Sequence, residues 1–258
     1  EFSNYDSLSN KYGTIFNSNS WLNLFGKKID RLGFFDDNNN LIGGFHLYRE
    51  KKYMLSICCD APLTPHCGPF LRIEAKNPVT IMDTWKKALK LMAEYIENQK
   101  FSLVSISLDK NIVDMQPYLW KKFKVTPRYT YLVNLKQPVD TILNNMSPER
   151  RNDIKKGEKS GLKVRVTKNY STVKSLMAQS FSRQNMVVDQ IYVDAVLFGF
   201  ADEKNSFAFV AEEGNHPVAA AFCIHDQETA FYLLGGYAHE KKHRGAGPLV
   251  CWEAIKHA

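Results

Sequence analysis

Hydrophobic and polar positions along the chain fall into segments of two periods. Over 79–97 the apolar residues Trp85, Leu89, Met92 and Ile96 recur every three or four positions, the spacing of one helix face. Runs at 29–35, 41–49, 52–59, 101–108 and 125–135 have the composition of strands, and the first two flank Asp36-Asp37-Asn38-Asn39-Asn40, which predicts a hairpin turn. A short helix is predicted over 115–123. Beyond Pro138 the pattern restarts with a short helix to Asn145, a helix over 148–160 and a strand over 162–167. Helices over 172–183 and 191–202, strands over 207–212, 217–225 and 229–237, and a last helix after Gly245 complete it. This order implies an α/β (α+β) chain of two similar domains, 1–136 and 137–258, each a mixed sheet flanked by helices. Its 258 residues, 44% apolar and 12% aromatic, are enough to fill two cores.

Charge changes the picture because it is unevenly spread. The formal net charge is +7. Between Ser147 and Lys168 eight cations face three anions, and Glu240 to Arg244 adds three cations and one anion, so these two stretches hold the whole surplus. Ser147 is a good N-cap, Pro148 suits the first helical position and Gly161 is a natural stop. Along that helix Arg151, Lys155 and Lys159 recur every four residues. Like charges so spaced oppose helix formation by about 0.2–0.5 kcal/mol per pair, and an anionic partner offsets that repulsion. A solvated surface helix is the plainer reading of the same stripe.

Five cysteines, Cys58, Cys59, Cys67, Cys223 and Cys251, include no CxxC pair and read as small core residues in a reducing, cytoplasmic compartment. No apolar run reaches the length of about 18 residues that predicts a membrane span. The seven histidines form no HExxH motif and no cysteine–histidine cluster, so no metal is expected. The chain opens on Glu1 rather than Met, so a preceding segment is expected.

The junction after the last strand concentrates the remaining chemistry. A strand ending at Tyr237, a short polar turn, Gly245-Ala246-Gly247 and an apolar-striped helix (Leu249, Trp252, Ile255) have the parts of a pyrophosphate cradle. Amides at a helix N-terminus lack helical partners and the helix dipole favours anions there. Small residues admit phosphates closely, and Lys242, His243 and Arg244 add charge-assisted donors. A glycine pair that merely turns the chain into a helix explains the same residues. A dinucleotide fingerprint lacks its third glycine here, and a Walker loop lacks its Gly-Lys-Ser/Thr.

Tyr232-Leu233-Leu234-Gly235-Gly236-Tyr237 followed by Lys242-His243-Arg244-Gly245-Ala246-Gly247 resembles the acyl-CoA-binding signature of GNAT acyltransferases, Arg/Gln-x-x-Gly-x-Gly/Ala, with Lys242 in the Arg/Gln place. Gly245-Ala246 through Leu249 and Trp252-Glu253-Ala254-Ile255-Lys256 resembles the Fem-like branch, as does the helix Ser147-Pro148-Glu149-Arg150-Arg151-Asn152-Asp153-Ile154-Lys155-Lys156-Gly157-Glu158-Lys159. The resemblance spans nearly the whole chain. It implies two tandem GNAT-like domains, with further strands after the final helix, so that the second domain is expected to be incomplete at Ala258.

It also implies a bacterial-type acyltransferase that moves an acyl group, acetyl first of all, from acetyl-CoA or another acyl-CoA to an amine. Lys242, His243, Arg244, Gly245, Ala246 and Gly247 would then bind the cofactor, and Arg151, Lys155 and Lys159 an anionic substrate. Acyl transfer needs a deprotonated amine, a polarised carbonyl and a protonated leaving group. Tyr237 is the candidate acid and His225 the candidate base, although either residue type ends a strand for structural reasons more often. The Fem-like alternative takes aminoacyl-tRNA as donor and a nucleotide-linked cell-wall precursor as acceptor. Fem enzymes often carry a long helical arm in the second domain, and only the helix ending near Ser160 stands in that place here. A non-catalytic module that holds an anionic polymer on the basic helix is a third alternative.

Overall fold

The computed structural model describes residues 2–238 and 243–258. It divides into two compact units, Glu1–Tyr129 and Thr130–Ala258. The expected mixed α/β architecture of sheets flanked by helices is present.

The first unit opens with helix α1 (Phe2–Tyr12) and the short helix α2 (Asn19–Leu22), where the sequence pattern shows only a polar opening. Strands β1 (Ile29–Phe35), β2 (Leu41–Lys52) and β3 (Leu55–Cys59) form an antiparallel meander, with β4 (Phe70–Leu71) added to β2. Helix α3 (Pro78–Asn98) starts where Asn77 Oδ1 accepts the Val79 amide and Pro78 needs no partner. It lays Ala88, Leu89, Met92, Ala93 and Ile96 on Phe45, Leu47 and Cys58 of the sheet. Strand β5 (Leu103–Ser105) then pairs with β3 in parallel, and α4 (Gln116–Trp120) follows.

Two predicted strands differ. The run at 101–108 pairs over only three residues, and 125–135 pairs with nothing among the described residues. Val125, Tyr129, Tyr131 and Val133 have strand propensity, but propensity yields a strand only where a neighbouring edge offers hydrogen bonds.

In the second unit α5 (Val139–Asn145) and α6 (Pro148–Lys159) precede β6 (Lys163–Val166), α7 (Tyr170–Arg183) and α8 (Gln190–Asp194), which runs on into a π-helical turn at Ala195–Phe200. Strands β7 (Ser206–Glu213), β8 (His216–His225) and β9 (Ala230–Tyr237) complete an antiparallel sheet in the order β6-β7-β8-β9, and α9 (Ala246–His257) closes the unit. The sheet is covered on both faces, which is why β8 reads as an unbroken apolar run. Ala219, Ala221 and Cys223 meet Ala246, Val250 and Ala254 of α9, while Phe222 on the other face meets Tyr170 of α7 at a ring separation of 5.6 Å.

The other face of β2 holds a buried polar group in the first unit. His46 is 1% exposed and its Nδ1 lies 3.5 Å from Asn17 Nδ2. His66 Nδ1 accepts the Gly68 amide, and its Nε2 lies 3.4 Å from Asp109 Oδ2. Burial pushes the His46 pKa down from 6.5 to about 3, and burial also lowers that of His66. The His46 ring is therefore neutral in the fold and acquires a proton on unfolding below its ordinary pKa. Between pH 6.5 and about 3 the unfolded chain binds more protons, so stability present above pH 6.5 is lost as pH falls, by up to about 1.4 kcal/mol per pH unit for His46. Urea melts from pH 7.5 down to pH 5 should show this loss, and His46→Gln should flatten it.

Candidate functional site

The glycine junction rests on a close helix–helix contact. Helix α6 turns Asp153, Ile154 and Gly157 inward, three or four residues apart, against the first turn of α9. A Cβ on Gly245 would lie 2.5 Å from the Gly157 nitrogen and 2.7 Å from the Asp153 carbonyl oxygen, and a Cβ on Gly157 would lie 2.9 Å from the Gly245 oxygen. The two backbones touch because neither residue has a side chain. Beside them Asp153, 2% exposed, forms ion pairs with Arg244 Nε at 2.9 Å and Arg150 Nη1 at 3.1 Å, and Arg244 Nη2 also reaches Glu149 at 3.2 Å.

Three of the six groups assigned to a phosphate, Arg244 and the Gly245 and Ala246 amides, have partners within the protein. The Gly245 amide donates to His243 Nδ1 at 3.2 Å and the Ala246 amide to the His243 carbonyl at 3.0 Å. Pro248 has no N–H, and the Leu249 amide already bonds Gly245 within the helix. Gly247 contributes the remaining first-turn amide. Lys242 lies outside the described residues.

The same helical period that turns Asp153 inward turns Arg151, Lys155 and Lys159 outward. Arg151 is part-buried and donates from Nη1 to the Asn144 carbonyl at 2.8 Å. Lys155 and Lys159 are exposed and form no ion pair among the described residues. Ser147 caps the helix as expected, its Oγ accepting the Arg150 amide.

Tyr237 and His225 are not brought together. In the β8–β9 ladder Tyr237 faces Ala219, whereas His225 faces Ala230 at the other end. That separation is roughly 20 Å at the rise of an extended strand, too far to serve one reacting carbon. His225 packs its ring on Phe207 next to His257, at the edge of a cavity of about 250 Å³ lined also by Asp226 and Thr229.

Around Tyr237 the structure adds two residues from α7. Gly236 has no side chain, and a Cβ there would run into the Leu176 carbonyl, so the helix backbone lies directly on β9. That approach puts Ser180 Oγ 3.0 Å from the Tyr237 amide and stacks the Arg183 guanidinium 3.9 Å above the Tyr237 ring. Arg183 Nη1 is buried and has no hydrogen-bond partner among the described residues, while Tyr237 is 41% exposed. The end of β9 thus offers a hydroxyl and a cation. Nothing near Arg183 or Ser180 in the sequence marks them, because their partner is more than fifty residues away.

Other groups are unsuited to catalysis. Two hydrogen bonds from Arg165 hold the Glu212 carboxyl below its ordinary pKa, so it is a poor base. Burial pushes the Cys223 thiol up to about 12 and raises that of Cys251, which removes both as nucleophiles. Among the described residues no cluster of three or more His, Cys, Asp or Glu is placed to hold a metal ion, and no helix is long and apolar enough to cross a membrane.

An acetyltransferase (GNAT) domain family matches residues 148–258. Among solved structures, FemX superposes with a TM-score of 0.67 at 11% identity, covering 100% of this chain and 84% of its own. L-PGS from Bacillus licheniformis gives a TM-score of 0.52 at 11% identity, covering 99% and 71%. The C-terminal domain (DUF2156) assigned to a lysylphosphatidylglycerol synthetase of Agrobacterium fabrum gives 0.51 at 10% identity, covering 99% and 74%. At these identities the likeness is one of fold. No curated protein matches the chain.

The α6–α9 contact can be tested directly. Gly245→Ala should cost about 1–3 kcal/mol through overpacking. Gly247→Ala, whose added methyl meets nothing, should be neutral or slightly stabilising. Equal urea midpoints for the two variants would remove the contact as a structural determinant.

Proposed function

We propose, from the match of residues 148–258 to an acetyltransferase (GNAT) domain family and the Fem-like fold of the chain, an acyltransferase whose donor is an aminoacyl ester carried on tRNA. The acceptor in this reading is an amine on a nucleotide-linked cell-wall peptide precursor. The observation that carries the donor assignment is the state of the glycine junction. Its Gly245 and Ala246 amides and its Arg244 guanidinium are engaged within the protein, whereas Lys155 and Lys159 on α6 face solvent. A pyrophosphate grip depends on open amides. A polynucleotide backbone needs only a row of cations.

Transfer breaks the ester C–O bond and forms an amide. The acceptor amine gives up one proton and the leaving hydroxyl oxygen takes one. The Tyr237 hydroxyl is the group assigned to hand that proton to the leaving oxygen and to regain one from the ammonium. The Tyr237 amide is held by Ser180, so the carbonyl oxygen must find another donor, and the Arg183 guanidinium over the Tyr237 ring supplies positive charge beside it. His225 takes no part in this scheme.

Acyl-CoA is the competing donor, favoured by the description of the matching domain and by the Gly247 amide. Calorimetry of the purified chain with charged tRNA, acetyl-CoA and an anionic sugar nucleotide separates the two. Saturation by charged tRNA with steep salt dependence is expected, and saturation by acetyl-CoA alone would overturn the donor assignment. Lys155→Glu with Lys159→Glu should weaken tRNA binding by about tenfold or more and flatten its salt slope. Tyr237→Phe should lower kcat by about 10²-fold or more at nearly constant KM. Loss of KM alone would make Tyr237 a binding group.

A further inference from the structure

The β2–β3 hairpin of the first unit ends in a feature that acyl transfer does not use. Lys52 pairs with Leu55, so Tyr53 and Met54 form a two-residue turn. Tyr53 is 93% exposed, Met54 99% and Leu55 51%. Tyr53 has φ of +56°, a left-handed conformation at a turn position that favours glycine or asparagine. The β1–β2 turn of the same sheet shows what chain reversal alone requires. There the Asp36 carboxylate accepts the Asn38 and Asn40 amides, and Asn39 takes the positive φ. A tyrosine held in that conformation, followed by a methionine in water, needs a different explanation.

Cations surround the tip. Lys51 and Lys52 flank it, and the parallel register Ile57↔Leu103 carries Lys100 to the same end of the sheet. None of the three forms an ion pair among the described residues, and the nearby carboxylate Glu50 is engaged by Lys28 at 3.8 Å. An amphipathic aromatic ring and a thioether at the apex, with long-stemmed ammonium groups behind them, suit the boundary between acyl chains and anionic headgroups.

We propose that this hairpin tip docks the protein on an anionic lipid surface, with Tyr53 and Met54 entering the headgroup layer and Lys51, Lys52 and Lys100 pairing with phosphates. The contact is shallow and reversible, since only the turn and its flanks take part. It does not depend on which acyl donor is used.

Co-sedimentation of the full chain with phosphatidylcholine vesicles, with and without phosphatidylglycerol, tests the proposal. Binding to the anionic vesicles alone, weakened by salt, is expected. Tyr53→Gly with Met54→Ser should reduce the partition coefficient by about tenfold, and Lys51→Ser with Lys52→Ser should reduce it similarly and remove most of its salt dependence. Glycine suits the positive φ at position 53, so the first variant should melt at the same temperature or higher, which separates lost binding from lost folding. Wild type that ignores anionic vesicles, or a Tyr53→Gly/Met54→Ser variant that binds them equally, would overturn the proposal. So would self-association of the wild type that this variant abolishes.

Discussion

The second unit depends on a place where two helices touch without side chains between them. Gly157 of α6 and Gly245 at the start of α9 bring their backbones together, and the buried Asp153 carboxylate holds Arg244 across the same contact. A buried carboxylate requires such pairing, because an uncompensated charge inside a protein is costly. The contact also accounts for two residues of the glycine junction that ligand binding would otherwise have to explain. Gly245 is there for its missing Cβ, and Arg244 for its guanidinium toward Asp153. Helical geometry then sends Lys155 and Lys159 away from the contact, so packing inward and charge outward follow from one orientation of α6.

A second bare-backbone approach organises the end of β9. Gly236 lets α7 rest on the strand, and this brings Ser180 and Arg183 to Tyr237. Here the close approach brings a hydroxyl and a guanidinium to a tyrosine, while at Gly245 it places Arg244 on Asp153. In the proposed function, proton transfer falls to Tyr237 with Arg183 beside it, and anion binding to the outer face of α6.

Much of the architecture was legible in residue order. The period of α3, the cap at Ser147 and Pro148, the polar turn at Asp36 to Asn40 and the three consecutive strands ending at Tyr237 all reflect interactions among residues close in the chain. Where the structure departs from that reading, a distant partner is missing or decisive. The residues at 125–135 have strand composition and no edge to pair with among the described residues, and α1 carries a weak pattern that becomes a helix against the sheet through contacts such as Tyr5 with Phe70.

The candidate site divides along the same line. Sequence by itself determined where the helices and strands of the second unit begin, that charge concentrates on α6, and that Tyr237 ends a strand before a glycine-rich turn, because each is a matter of local spacing and composition. Only the tertiary structure decided that His225 and Tyr237 stand at opposite ends of a ladder, that Arg244 belongs to Asp153, and that Arg183 lies over Tyr237. Those outcomes depend on strand register and on how closely two backbones approach, and both are set by contacts between residues far apart in the chain.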